Sequence, residues 1–214
     1  FADGTFWTWS GMTSTGLNQA GTAGEDTLLG WSGNDIIHGE NGNDTLDGGT
    51  GANQLYGDAG NDIIKVASGS AGNTLVGGAG NDTLTGGYGA DTYVFNRGDG
   101  HDTINEYDPG GSATDTLAFG TDISPQDLWF RRNGFDLEVS VIGGDEKVTI
   151  GSWYQSSAYH VDAIKTANGG TLLDSQVQNL VDTMASFGVA AGAETTLTSD
   201  QRTQLDSVLA ANWK

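Results

Sequence analysis

Residues 77–85 read GGAGNDTLT, and the same pattern recurs at a fixed spacing on both sides. Divided into nines from Gly21, the chain runs GTAGEDTLL, GWSGNDIIH, GENGNDTLD, GGTGANQLY and GDAGNDIIK to Lys65 without a gap. Val66-Ala67 interrupts the register; SGSAGNTLV, GGAGNDTLT and GGYGADTYV follow, and after Phe95-Asn96 a ninth block, RGDGHDTIN, ends at Asn105. Self-similarity at a fixed period marks a stacked architecture in which each unit buries its apolar face only against its neighbours. The sixth position holds Asp26, Asp35, Asp44, Asn53, Asp62, Asn73, Asp82, Asp91 and Asp102, and the eighth holds Leu28, Ile37, Leu46, Leu55, Ile64, Leu75, Leu84, Tyr93 and Ile104. Every sixth residue thus offers a side-chain oxygen, and every eighth is large and apolar. Glycines at positions one, two and four allow turns through positive φ and close backbone approach, while the last three residues suit a very short strand with its middle side chain inward.

A single nine-residue step cannot return the chain to its start, so two blocks make one coil of a right-handed solenoid with two short parallel sheets. Stacking then places Asp26, Asp44, Asp62, Asp82 and Asp102 in one file, and Asp35, Asn53, Asn73 and Asp91 in the other. Carboxylates stacked with no lysine between them repel, and a hard cation between successive turns resolves the repulsion. Ligation by oxygen alone suits Ca²⁺, which takes six to eight oxygens in flexible geometry, better than Mg²⁺ with its tight octahedron. Zinc and copper favour His or Cys, and the chain has three His and no Cys.

The composition narrows the function further. Among 214 residues, 8 Lys plus Arg face 28 Asp plus Glu, a formal charge of −20. That balance excludes a nucleic-acid partner, whose phosphates demand basic side chains, and disfavours anionic membrane surfaces. No stretch approaches the ~18–20 apolar residues of a membrane-spanning helix, and no basic-then-apolar leader opens the sequence. The absence of cysteine excludes disulfides and thiol chemistry. With 36% hydrophobic residues and 35 glycines the core is thin, so bound metal is expected to be a folding requirement and the metal-free chain to be disordered. No G-x-S-x-G elbow, H-E-x-x-H pair or phosphate loop occurs, and His38, His101 and His160 are scattered, so no enzymatic centre is expected.

The blocks resemble the RTX (repeats-in-toxin, haemolysin-type calcium-binding) nonapeptide GGxGxDxUx, which residues 77–85 match in full. The resemblance implies a parallel β-roll with calcium between successive turns, ligated by the position-six side chains and by turn carbonyls such as those of Gly24, Gly33, Gly42, Gly51, Gly60, Gly80 and Gly89. Roughly six ions are expected on this basis. Asn53 and Asn73 bring an amide oxygen without charge and predict weaker sites. Ala71 replaces a glycine beside the Val66-Ala67 insertion, which makes residues 66–76 the weakest part of the expected metal array. Asp108 or Asp115 would complete the last calcium turn.

The expected fold is all-β with C-terminal helices, a right-handed parallel β-roll capped by a β-hairpin segment. Residues 1–20, opening FADGTFW, read as the remnant of a preceding module and an N-terminal cap, and residues 21–105 as the roll. Residues 106–173 form a β-rich cap similar to the haemolysin-type calcium-binding-related segment. Within it, Thr114-Asp115-Thr116-Leu117 imitates the second half of a block. LWFRR, an Asn133-Gly134 turn and FDLEVSVI predict a type I′ hairpin. Trp129, Phe130, Phe135, Trp153 and Tyr154 give this segment its aromatic content. Residues 174–214 predict two helices. Ser175 with Gln178 caps the first, which carries Val177, Leu180, Val181 and Met184 and stops at Gly188; Thr198 with Gln201 caps the second, which carries Leu205, Val208 and Leu209.

The family resemblance further implies an uncleaved C-terminal signal for a type I (ATP-binding-cassette) exporter. The protein is then expected to be secreted, extracellular or at the bacterial surface, as the C-terminal end of a larger toxin or adhesin that folds on calcium outside the cell. Two other readings stand beside this one. The position-seven threonines Thr27, Thr45, Thr74, Thr83, Thr92 and Thr103, or the hairpin surface, would offer a regular face to glycan or ice. The Asp108-Pro109 bond resembles the calcium-triggered self-cleaving modules of some RTX proteins.

Overall fold

The last three residues of a block extend into a strand because Thr, Ile and Leu dominate there, and the six before them turn because glycine does. The computed structural model describes residues 16–69, 71–111, 113–167, 170–190, 192 and 197–214. The FADGTFW segment lies outside the described residues. One strand, β1 (Asn18–Ala20), precedes the blocks, and nine follow from them: β2 (Thr27–Leu29), β3 (Ile36–His38), β4 (Thr45–Asp47), β5 (Gln54–Ala59), β6 (Ile63–Lys65), β7 (Thr74–Ala79), β8 (Thr83–Thr85), β9 (Thr92–Phe95) and β10 (His101–Asn105). Successive strands alternate between two parallel sheets, one running β1-β3-β5-β7-β9 and the other β2-β4-β6-β8-β10. This is the two-block coil anticipated from the period.

In-register pairing aligns the eighth positions in two files. Ile37, Leu55, Leu75 and Tyr93 are Cα partners in sequence along one sheet, and Leu28, Leu46, Ile64, Leu84 and Ile104 along the other. All of them except half-buried Leu28 are at most 1% exposed. The interior between the sheets is therefore one side chain deep from each wall, a narrow core of the kind a glycine-rich chain can fill.

The segment after the repeats lengthens the sheets as well as covering their end. It contributes β11 (Thr116–Phe119), β12 (Leu128–Asn133), β13 (Asp136–Val141), β14 (Lys147–Ile150), β15 (Ala163–Thr166) and β16 (Thr171–Leu173). Strand β11 lies parallel on β9 and β15 parallel on β11, so Tyr93, Leu117 and Ile164 continue one apolar file. Strand β14 lies parallel on β10 with Ile150 on Ile104, and β13 and β12 then add antiparallel, ending the run of parallel edges. The loop between β12 and β13 is Gly134-Phe135, one residue later than the Asn133-Gly134 turn that the sequence suggests. Only Gly134 (φ +63°) takes the left-handed region, which is the type II′ pattern and not type I′. Phe135, placed at that tip, is 62% exposed, whereas Trp129, Phe130 and Trp153 are buried.

Two helices close the structure, α1 (Asp174–Ser186) and α2 (Ser199–Asn212). The first starts before the expected Ser175 cap. Its N-cap is Leu173, whose N–H donates to the Gln176 side chain at 3.1 Å, while Gln178 instead bonds Asp182. Val177, Leu180, Val181 and Met184 are buried as their spacing predicts, and Gly188 (φ +65°) follows the helix end. The Thr198–Gln201 box forms in both directions, at 2.9 and 3.2 Å. The first helix covers β12 and β16 and the second packs on the first and on Pro125–Asp127, with Trp213 edge-on to Phe130 and Phe187 tilted on Trp129, both at 6.2 Å between ring centres. Among the described residues no helix is long and apolar enough to cross a membrane.

Candidate metal centre

The turns are built by two left-handed positions. Position four is glycine at Gly33, Gly42, Gly51, Gly60, Gly80 and Gly100, with φ between +90° and +152°. Position two is also left-handed but admits Trp31, Glu40 and Asp58. Position one is different: glycine there serves close approach and not positive φ. A β-carbon on Gly39 would stand 2.5 Å from Asp44 Oδ2 and 2.6 Å from the Gly57 carbonyl oxygen; on Gly30 it would stand 2.5 Å from Asp35 Oδ2 and 2.7 Å from the Gly48 carbonyl oxygen. A position-six carboxylate and the position-one carbonyl of the next coil thus converge on the space that the missing side chain leaves.

The position-six side chains form two hydrogen-bonded ladders. Backbone N–H groups of Asp26, Asp44, Asp62 and Asp82 donate to Oδ1 of Asp44, Asp62, Asp82 and Asp102, at 2.7, 2.7, 2.7 and 3.0 Å. On the other edge those of Asp35, Asn53, Asn73 and Asp91 donate to Oδ1 of Asn53, Asn73, Asp91 and Asp115, at 2.8–2.9 Å. The files are the two that the period places together. Burial is near complete: Asp35, Asp44, Asp62, Asp82 and Asp115 are each 1% exposed, whereas Asp26 at the open end is half-buried. One oxygen of each carboxylate is satisfied by the ladder. The other, Oδ2 of Asp35, Asp44, Asp62, Asp82 and Asp102, is buried with no hydrogen-bond partner.

An ionised carboxylate left half-satisfied in a dry place is expensive. Burial first, and then the neighbouring carboxylates of the file, raise Asp62 to about 6, Asp82 to about 7 and Asp102 to about 8, against a backbone hydrogen bond that lowers each. Asp115 is pushed to about 7 by burial and by Asp91, Asp162 and Asp108. No Lys or Arg is paired to these residues among the described ones; Lys65 bonds Asp47 and Lys147 bonds Glu138. Orphaned hard oxygens, converging carbonyls and uncompensated negative charge together fit a calcium ion.

The two amide rungs differ from the acidic ones. Asn53 presents Nδ2, buried and unpartnered, on the side where the aspartates present Oδ2. Asn73 Nδ2 donates to the Ala71 carbonyl at 2.7 Å and to Asp91 Oδ1 at 2.8 Å, so hydrogen bonds stand there in place of a counter-charge. Of the turn carbonyls named from the resemblance, those of Gly24, Gly33, Gly42 and Gly60 lie against the position-four glycines Gly42, Gly51, Gly60 and Gly80 of the next coil. Gly89 lies against Ala71.

Further polar groups stand beyond the position-six files. Position five carries its own ladder, in which Asn34, Asn43, Asn61 and Asn81 accept from the N–H of Ala52, Asn61, Asn81 and His101 at 2.7–2.9 Å. Asp162 extends the acidic file by accepting from Asp115 N–H at 2.8 Å, and the HVDAI context, an acid before a β run, was its signal. Glu106 turns into the same edge beside Asp91 and Asp115. Asp108 is buried, with Oδ1 accepting from Gly110 N–H at 2.9 Å. The histidines do not converge: His38 pairs with Asp58, His101 bonds the Asp145 carbonyl and His160 stacks on Trp153 at 3.9 Å.

Comparison with known proteins agrees with this geometry. The model of the RTX calcium-binding nonapeptide repeat (4 copies) matches residues 20–46, 38–70 and 68–104. The haemolysin-type calcium binding protein related domain matches residues 136–176. The iron-regulated protein FrpA of Neisseria meningitidis serogroup C is 39% identical over 92 residues, which are 42% of this chain and 8% of FrpA. This chain therefore covers a small fraction of that curated relative's length. With its repeats, its following domain and its buried acidic ladders, the chain carries an RTX calcium-binding nonapeptide-repeat region over residues 20–104 and a haemolysin-type calcium-binding related domain over residues 136–176.

Proposed function

We propose that this chain is a calcium-dependent folding module of a secreted RTX protein. The carrying observation is the set of buried carboxylates whose Oδ2 atoms lack partners, those of Asp35, Asp44 and Asp62 lying beside the Gly48, Gly57 and Gly77 carbonyls of the next coil. Asp35, Asp44, Asp62, Asp82 and Asp102 would each hold an ion, the first three beside a carbonyl from the adjacent coil, and the Asp91–Asp115 step would hold another, roughly six in all. Bound calcium supplies positive charge and completes the coordination of these oxygens. The chain's own residues do the rest: the ladder fixes each carboxylate by its Oδ1, the position-one glycine keeps space open beside Oδ2, and the apolar files hold the coils in register.

Without that charge, a chain at −20 with half-satisfied buried carboxylates repels itself, and its thin core does not offset the cost of ordering so many glycines. Binding is therefore coupled to folding. The module stays unfolded where free calcium is scarce, which keeps it threadable, and folds at the ~10⁻⁴–10⁻³ M calcium of extracellular fluids. Residues 174–214 are proposed to engage a type I exporter, a role supported by the RTX repeats that the chain carries.

Circular dichroism tests the reading. In chelator the chain is expected to give a coil spectrum, and added Ca²⁺, but not Mg²⁺, to restore sheet. A folded spectrum unchanged by chelator would overturn the mechanism. Export of a passenger with and without residues 174–214 tests the secretion role.

A further inference from the structure

Glu106 directly follows Asn105, the ninth residue of the last block, so it stands where most blocks begin with glycine. On this edge Gly30, Gly48 and Gly86 occupy the corresponding place. Where Gly30 faces the Gly48 carbonyl, Gly86 faces Glu106 Oε2, together with Asp91 Oδ2 and the Tyr93 hydroxyl. A side chain therefore reaches into the space that glycine elsewhere leaves free. Carboxylate oxygens of Asp91, Glu106 and Asp115 lie within 4.8 Å of one another. The three residues are 0%, 2% and 1% exposed.

Among the described residues every hydrogen-bond donor to this cluster is neutral. Tyr93 Oη donates to Glu106 Oε2 at 2.5 Å and Tyr107 N–H to Oε1 at 2.7 Å. Gly87 N–H donates to Asp91 Oδ2, Asn73 N–H and Nδ2 to Asp91 Oδ1, and Asp91 N–H to Asp115 Oδ1, all at 2.8 Å. A fourth carboxylate, Asp108, is 9% exposed, has a buried Oδ2 with no partner and adds to the negative charge felt by Asp115. No Lys or Arg is paired to any of the three among the described residues.

We propose that Asp91, Glu106 and Asp115, backed by Tyr93 and Asp108, form a three-carboxylate cation site at the junction of β9, β10 and β11 that binds calcium more tightly than the rungs of the repeats. The inference rests on the calcium reading above and adds to it a ligand outside the nonapeptide register and a rank order of sites. Charge count sets that order. On this edge the Asp35–Asn53 step carries one carboxylate, Asn53–Asn73 none and Asn73–Asp91 one, whereas the junction carries three, and calcium affinity rises with the number of charged ligands. The junction then loads first. Because β9, β10 and β11 meet the β-rich segment there, ordering begins at that end and spreads toward β1.

The test compares the full wild-type chain with E106Q, which removes one charge and keeps an acceptor for the Tyr93 hydroxyl. Calcium is titrated calorimetrically from the chelated state, and bound ions are counted by native mass spectrometry at limiting calcium. The wild type is expected to retain one ion where E106Q retains none, with first-ion affinity lowered about tenfold or more and the same sheet content at saturating calcium. Equal first-ion affinity in the two proteins, with the other ions bound, overturns the junction site and leaves the β-roll reading intact. A wild type that binds no calcium overturns both. Should E106Q fail to fold, wild-type crystals grown with terbium decide: an anomalous peak among the three carboxylates supports the site, and loaded rungs elsewhere with no peak there overturn it.

Discussion

The backbone N–H of Asp44 donates to Oδ1 of Asp62 at 2.7 Å, while Oδ2 of Asp62 is buried without a partner. One oxygen of this carboxylate is structural and the other is available to a cation. The two roles separate in D62N, which keeps an acceptor for Asp44 N–H and removes the charge. Its calcium midpoint for folding is expected to rise roughly three- to tenfold, followed by circular dichroism. D47N, on a half-buried residue paired to Lys65, is the control and should shift it little. An unchanged midpoint in D62N would show that this carboxylate does not ligate.

Asn53 offers the converse experiment. Its Oδ1 already accepts from Asp35 N–H at 2.9 Å, and its Nδ2 is a buried donor without an acceptor. N53D keeps the first bond and converts the orphan donor into an orphan carboxylate oxygen. We expect one additional ion by native mass spectrometry and a lower calcium midpoint, together with lower residual structure in chelator because a new buried charge repels Asp35. A stoichiometry equal to wild type would show that the surrounding carbonyls do not complete a site there.

Position-one glycines test the steric half of the site. A β-carbon at Gly57 would collide with Asp62 Oδ2 and the Gly77 carbonyl, whereas one at Gly69 meets nothing within 4 Å. G57A is expected to lose on the order of 2 kcal/mol or more in saturating calcium, because backbone and a fixed carboxylate must shift. G69A should stay within ~0.5 kcal/mol. Thermal unfolding at fixed calcium measures both.

The period alone exposed the β-roll, because a residue such as Leu46 repeats its environment at Ile64 and Leu84 and the pattern accumulates over coils. It also placed Asp62 over Asp44. What it could not expose depends on contacts that occur once. Glu106 is a single acid brought to the file by β10 with nothing repeated in its local sequence, and Asp162 keeps only the Asp-x-Ile end of a block, without the glycine turn that marks the others. Glycines at positions one, two and four were legible together as turn formers and points of close approach, but that position one serves only the second role is defined by the coil above. The hairpin slipped by one residue because Asn133-Gly134 and Gly134-Phe135 both supply an allowed turn, and the partners Leu128↔Val141 decide between them through the packing of buried side chains.

Outside the metal files, Glu138 carries a pH-dependent contribution. Burial alone would raise its pKa, but Lys147 at 3.0 Å, Asn133 at 3.2 Å and Arg131 at 4.0 Å outweigh that and bring it below the ordinary value. A depressed carboxylate stabilises the fold above its unfolded pKa, near 4.5, and loses that contribution as the pH falls through the folded one. E138Q is expected to cost about 1–2 kcal/mol at neutral pH in saturating calcium, a figure reduced for the partial exposure of Lys147. The difference from wild type should vanish in acid. A difference independent of pH would assign the effect to packing.

The helical end is coupled to the sheets through Trp213. Its ring lies on Phe130 and over Gly170, where a β-carbon would strike the indole, and the flanking backbone pairs Thr171 with Lys214 in both directions, at 2.6 and 2.9 Å. W213A removes a side chain 8% exposed and opens the apolar surface of β12 and β16 that α2 helps to cover, a loss of about 3–5 kcal/mol for a large aromatic in a core. Because this contact is remote from the Asp44–Asp62 rung, the calcium midpoint reported by that part of the roll should move far less than the melting temperature at saturating calcium. If both moved in proportion, the roll and its helical end would unfold as one cooperative unit, and the junction beside Glu106 would be the place through which they are joined.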